Sequence, residues 1–338
     1  MLNIISRSLI SKHNRGPRKV VKNLLRGLDQ INCPYVTNAA PDATTLIWIH
    51  DDPEAFKAAV KLTKPPLILA GPNIYTLPSQ LPPFSASFPL VWLHPAPWVQ
   101  KFWETFQNQK LRSVVWPVGI DTKTFAPTNS ISKDLVLVYN KQRTVADTKK
   151  VCEALSLLGE QFQVLTYGNY QEAEYQSLLS RAKALVWVGR SESQGIALLE
   201  ALSMNVPTLV WDVEKFGQWE GQGRTFFSAE QLNFSPVTSA PYFNETCGVK
   251  FTQDTELDER LKEFLGHLPT FSPRLYIENN LSLQKQAESF LEIFKTELGA
   301  TEKLFKDNTL FSPKRWKNDT LTFKLGTQIK DVIRKIIR

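Results

Sequence analysis

At 338 residues, 42% apolar and 22% charged, the chain is longer than one mid-sized core accommodates, so two domains are expected. No run approaches the roughly 18–20 apolar residues of a membrane-spanning helix, and three widely spaced cysteines (Cys33, Cys152, Cys247) fit neither a disulfide framework nor a paired zinc site, pointing to free thiols in a reducing compartment. The formal charge of +7 sits at the ends: residues 1–40 and 301–338 each carry +6, which leaves −5 on the rest and excludes a contiguous basic face for nucleic acid.

Residues 1–10 are apolar with Arg7 interspersed, and no acid precedes Asp29, so a transit peptide competes with mature structure. A strand at 2–6, a polar loop ending at Gly16-Pro17 and an amphipathic helix bearing Val20, Val21, Leu24, Leu25 and Leu28 favour the latter. The alternation continues with strands at 45–49, 67–70, 90–93 and 114–117 and helices at 52–62 and 98–106. Trp92, Trp98, Trp103 and Trp116 fall within these patterns and read as core. Residues 122–133 are polar and aperiodic, an expected interdomain linker. A second series follows, with strands at 135–139, 162–166, 184–188 and 208–211 and helices at 146–158, 170–181 and 195–203. Strands alternating with helices predict parallel α/β sheets. A closing helix is expected at 281–298, and residues 327–338 place Ile329, Val332, Ile333, Ile336 and Ile337 on one helical face among basic residues. That face fits an anionic membrane surface and fits docking on the protein equally well.

The segment from Ala184 to Trp211 is the most informative. A buried strand delivers the chain into a Ser/Gly loop, where Ser191 or Ser193 could cap the next helix and Gly195 could let an anion approach its N-terminus. Ligands of open α/β sheets collect at this carboxyl edge. Glu192 and Glu200 stand eight residues apart, a spacing expected by accident about once in a chain with this many Glu, so specificity comes from the strand-loop-helix context.

In that context Glu192, Gly195, Glu200, Ala201 and Pro207 resemble the signature of the retaining, nucleotide-sugar-dependent GT-B glycosyltransferases, and the two-half arrangement extends the likeness over about residues 1–300. The resemblance implies an α/β chain of two Rossmann-like α/β/α domains facing across a cleft: 1–128 on the acceptor side, 129–283 for the nucleotide sugar, then a closing helix at 284–300 and a basic tail at 301–338. It places Glu192 near the donor sugar and Glu200 near the nucleotide ribose, and extends the donor site to Ser193, Gln194, Gly195 and Ile196. Gly119-Ile120-Asp121 is similar to the family's turn, and Gly16 to its glycine loop after the first strand. The family's Arg and Lys for the donor diphosphate are replaced by Tyr139-Asn-Lys-Gln-Arg143, so Lys141 and Arg143 are assigned that work, with solvated loop cations as the alternative. Asn205 stands where the family has Gly. The family's acceptor-side His points to His50 or His94.

No Asp-x-Asp pair occurs, so no metal and no cofactor is expected. The sequence predicts a cytosolic hexosyltransferase acting on a glycan, glycolipid or protein glycan, with residues 327–338 offering a membrane route. The alternative is a non-catalytic sugar- or nucleotide-binding protein or membrane-surface scaffold of the same fold.

Overall fold

The computed structural model describes residues 1–10, 16–40, 46–63, 65–85, 88–128, 131–218 and 227–298. The predicted amphipathic helix at 327–338 and the basic tail lie outside them. In chain order the elements are β1 (Leu2–Ile5), α1 (Gly16–Gln30), β2 (Tyr35–Thr37), β3 (Leu46–Ile49), α2 (Pro53–Ala59), β4 (Ile68–Ala70), β5 (Leu90–His94), α3 (Pro97–Phe106) and β6 (Ser113–Val115). Then follow β7 (Leu135–Lys141), α4 (Val145–Leu157), β8 (Phe162–Thr166), α5 (Glu172–Arg181), β9 (Ala182–Gly189), α6 (Ile196–Ser203) and β10 (Thr208–Trp211). The chain closes with α7 (Ala229–Leu232), β11 (Gly248–Phe251), α8 (Leu257–Gly266), α9 (Pro273–Asn280) and α10 (Leu283–Leu298). Among the described residues no helix is long and apolar enough to cross a membrane.

Two sheets result, with strand orders β2-β1-β3-β4-β5-β6 and β11-β10-β9-β7-β8. Pairing is parallel from β2 through β5 and across the whole second sheet. Each strand order reverses once, between β1 and β3 in the first sheet and between β7 and β9 in the second. Alternate residues of the second sheet feed two cores, as the pleat requires. Leu137, Tyr139, Leu185 and Trp187 pack with α6 through Leu198 and Leu202. Val136, Val138, Val186 and Val188 pack with α8 through Leu261 and Phe264 on the other face.

The chain divides into two compact units, one comprising residues 1–76, 80–93 and the part of α10 from residue 287, the other 77–79 and 94–286. This differs from the division at residue 128. Within the expected linker Phe125 is buried, and its carbonyl accepts from Ser203 Oγ and from Arg274 Nη1. Asp121 caps the turn that opens this segment, accepting from the Lys123 and Thr124 amides at 3.2 and 3.1 Å. In the first unit, Phe290 and Phe294 of α10 are fully buried, with Phe290 against Trp48 at 5.4 Å.

Local capping explains several boundaries. Asp52 caps α2 with Pro53 in its first turn, and Thr144 and Asp147 form a reciprocal capping box on α4. The strands β2 and β11 and the helices α7, α8 and α9 were not anticipated. Trp92, Trp103 and Trp116 are buried as expected, whereas Trp98 is only half-buried.

Candidate active site

The carboxyl ends of β7 and β9 lie side by side where the strand order of the second sheet reverses, and Lys141 pairs in register with Gly189. Ligands of open α/β sheets bind at such a reversal because the two outgoing loops diverge and leave a crevice. Lys141 ends β7; Glu192 lies in the loop from β9 to α6. Their side chains meet, with Lys141 Nζ 2.7 Å from Glu192 Oε1. Lys141 also lies over the exposed Tyr167 ring, 4.8 Å from its centroid. An ammonium has three donors, so the contact with Glu192 leaves capacity for a further anion.

Gly195 is the N-cap of α6 at φ 77°, ψ 43°, and no side chain caps the helix. A Cβ added there would meet only ordinary contacts, 3.8 Å from Pro241 and 3.9 Å from Glu192 and Leu198. Glycine is therefore required by the left-handed backbone rather than by space. The expected caps Ser191 and Ser193 do not serve; Ser193 is exposed and Ile196 partly buried. The amide end of α6 lies beside Glu192, and such an end is a favourable setting for phosphate.

Glu200 lies one turn into α6, and the first part of the interval from Glu192 is loop. It is buried, near enough to Tyr175 to help raise that phenol's pKa, after burial itself and Tyr170. The Tyr175 hydroxyl donates to Ala197 O at 2.7 Å.

Two of the expected donor-site residues are engaged elsewhere. Arg143 does not join Lys141: the guanidinium is buried over the Trp211 ring at 4.5 Å, with Nε 3.3 Å from Asp147 Oδ2 and Nη1 donating to Gly189 O at 3.3 Å. Gln142 at φ 63° turns the chain between the two cations and sends Arg143 inward. Gln194 places its amide on the Val118 backbone, accepting from the amide at 3.1 Å and donating to the carbonyl at 2.8 Å. Gly16 belongs to the first unit, exposed at the start of α1 with open space where a Cβ would stand.

The histidines also separate. His50 follows β3 at the order reversal of the first sheet, fully buried, with Nδ1 3.2 Å from Ser6 Oγ and Nε2 2.9 Å from Asn73 Oδ1. Both nitrogens thus have hydrogen-bond partners within the first unit. Neighbouring Asp51 accepts from the Arg7 and Ser8 amides and from the Ser8 hydroxyl, and so holds the short turn after β1. Burial alone would raise its pKa, but hydrogen bonds from His50, Ser8 and Ser6 outweigh that and hold it well below the usual carboxylate range. His94, at the end of β5, is buried against Trp103, and its Nε2 has no hydrogen-bond partner among the described residues. Burial pushes its imidazole down to about 3.

Missed by sequence reasoning was a frame around Glu192. Its amide donates to Thr238 O at 3.0 Å, and its carbonyl accepts from Trp98 Nε1 at 2.8 Å. Thr238 and Ser239 are fixed by Asp212, which accepts from Thr238 Oγ1 at 2.7 Å and from the Ser239 amide at 2.6 Å and pairs with Lys250 at 3.3 Å. Asn205, at φ 57°, adopts a left-handed turn conformation.

No family model matches the chain, and no curated protein matches it in sequence. Solved structures do match in shape. Sucrose-phosphate synthase from Thermosynechococcus elongatus superposes at TM-score 0.58 with 11% identity over 89% of this chain and 99% of that one. The lipopolysaccharide outer core galactosyltransferase WaaB, in its apo form, gives 0.53 with 13% identity over 87% and 99%. TarM gives 0.50 with 9% identity over 80% of this chain and 57% of its own.

The chain has the GT-B fold. The two parallel sheets are its two Rossmann-like domains, and the strand-loop-helix of Glu192 belongs to the second.

Proposed function

We propose that this GT-B chain is a glycosyltransferase that moves a hexose from a nucleotide-diphosphate sugar to a hydroxyl of a glycan, glycolipid or protein glycan, with retention and without metal. The observation that carries the reading is the Lys141–Glu192 pair at the order reversal of the second sheet, beside the uncapped start of α6. A galactosyltransferase among proteins of the same shape fits hexose transfer.

In this reading the diphosphate lies between Lys141 and the first-turn amides of α6. The ammonium meets the negative charge that grows on the leaving phosphate, the work a metal ion does elsewhere. Glu192 accepts from donor-sugar hydroxyls, and Glu200 from the vicinal ribose hydroxyls. The bond from the anomeric carbon to the phosphate oxygen breaks through an oxocarbenium-like state. The acceptor oxygen bonds to the same face, and its proton passes to the departing phosphate. That scheme needs no side-chain nucleophile. His50 and His94, the latter with its buried Nε2, are the histidine candidates on the acceptor side.

A thermal-shift screen against UDP, GDP and ADP, with and without magnesium, tests the donor site. One nucleotide should stabilise the protein, by about 2.7 kcal/mol at a hundredfold excess over Kd, independently of magnesium and not in Glu200→Ala. The corresponding nucleotide sugar should be turned over by the wild type and not by Glu192→Ala, whose melting temperature stays near wild type. No shift with any nucleotide would transfer the weight to the non-catalytic scaffold.

A further inference from the structure

We propose that Trp98 is a positioning residue for Glu192, its indole fixing the peptide that carries the carboxylate. The inference rests on the reading of Glu192 as a group that touches the donor sugar.

The β9–α6 loop has little support of its own. Gly195 brings no side chain to cap α6, and Ser193 faces solvent. The loop is held from outside by Thr238 on the amide of Glu192, by Val118 on the amide group of Gln194 and by Trp98 on the carbonyl of Glu192. With its N–H tied at 3.0 Å and its C=O at 2.8 Å, the Glu192 backbone is held on both sides. The carboxylate then leaves a fixed Cα and reaches Lys141 at 2.7 Å.

The Thr238 side is anchored on the sheet through Asp212 and Lys250. The Trp98 side is anchored by rings: Trp98 lies 5.9 Å from Phe216, and one turn along α3 Phe102 packs 5.1 Å from Phe216 and 5.2 Å from Phe234. A donor held this rigidly can set a catalytic group more tightly than a mobile loop can, and small displacements of a reacting group are costly in rate. Trp98 is also the half-buried member of a tryptophan set whose other members are buried, as expected of a side chain at the margin of a site.

The test uses the full chain with Trp98→Phe, which keeps an aromatic ring, and with 3-benzothienylalanine incorporated at position 98, which keeps the indole shape but replaces the N–H by sulfur. UDP-glucose, GDP-mannose and ADP-glucose serve as probe donors, with nucleotide release as the readout. Loss of the hydrogen bond that positions Glu192 should lower kcat about tenfold in both variants, with donor KM within twofold and melting temperature close to wild type. Phe264→Leu, in the core on the other face of the second sheet and outside the Trp98 cluster, should lower the melting temperature and leave kcat unchanged. In protein labelled with 15N-tryptophan, the Trp98 indole signal, identified by its loss in Trp98→Phe, should exchange slowly with solvent. Wild-type kcat in the benzothienylalanine variant, or fast exchange of that indole proton, overturns the proposal while the transferase reading stands. A wild-type chain inert to all three donors overturns both.

Discussion

Lys141 and Arg143 are two residues apart and have opposite fates. Positive φ at Gln142 breaks the strand alternation, so Lys141 stays at the sheet edge with Glu192, while Arg143 turns in beneath Trp211. The histidines divide in a similar way: both are buried, but the fold engages both nitrogens of His50 and leaves Nε2 of His94 without a partner among the described residues. Burial carries an energetic consequence at His94, whose pKa is lowered from 6.5 to about 3. As pH falls below 6.5 the unfolded chain binds a proton there and the folded chain does not, so stability declines, by about 1.4 kcal/mol per pH unit until about pH 3. Urea unfolding between pH 7 and about pH 4.5, above the range where a carboxylate such as Asp51 would contribute, should show this slope reduced in His94→Asn; an equal slope in both proteins would contradict it.

At the level of elements, the turn read from Gly119-Ile120-Asp121 proves to be a crossing point. Ile120 bridges Ser282, and its amide donates to Leu281 O at 2.7 Å, just before α10 begins. A Cβ on residue 119 would lie 2.6 Å from Leu283 Cα and 2.8 Å from Ser282 O, backbone atoms that no rotamer change can move aside. Gly119→Ala should therefore cost about 1–3 kcal/mol in denaturant unfolding. Gly266→Ala, at the end of α8 with nothing within 4 Å, should leave stability unchanged or slightly higher. Element existence was legible wherever apolar periodicity was strong, as in β7, β9 and α1. Missed were the three-residue strand β2, which is only part-buried, and α9, whose Pro-Arg-Leu-Tyr-Ile-Glu-Asn-Asn run carries too few apolar residues for a helical stripe.

At the scale of the molecule, the two sheets and their order reversals place the candidate chemistry in the second sheet, and a hydrogen-bonded set of Ser6, His50, Asp51 and Asn73, of which Ser6 and His50 are buried, at the reversal of the first. Residues 301–338 carry a charge of +6 and lie outside the described residues. If residues 327–338 serve an anionic surface, the full chain should co-sediment with phosphatidylserine-containing vesicles more strongly than a chain lacking them, most clearly at low salt. Equal sedimentation of the two would refute that role.

The sequence by itself determined the α/β class, the two sheets and the strand-loop-helix around Glu192, because each is written in local periods of two or 3.6 residues and in glycine at a turn. It also singled out Glu192 and Lys141, which the fold brings together. Only the tertiary structure shows Arg143 and Gln194 hydrogen-bonded to the backbone of distant segments and His50 and Phe125 buried. It alone found the hold on Glu192, because Trp98 and Glu192 are 94 residues apart, and Val118 and Gln194 76. Contacts of that span are set by how sheets and helices close on one another, and no local pattern encodes them.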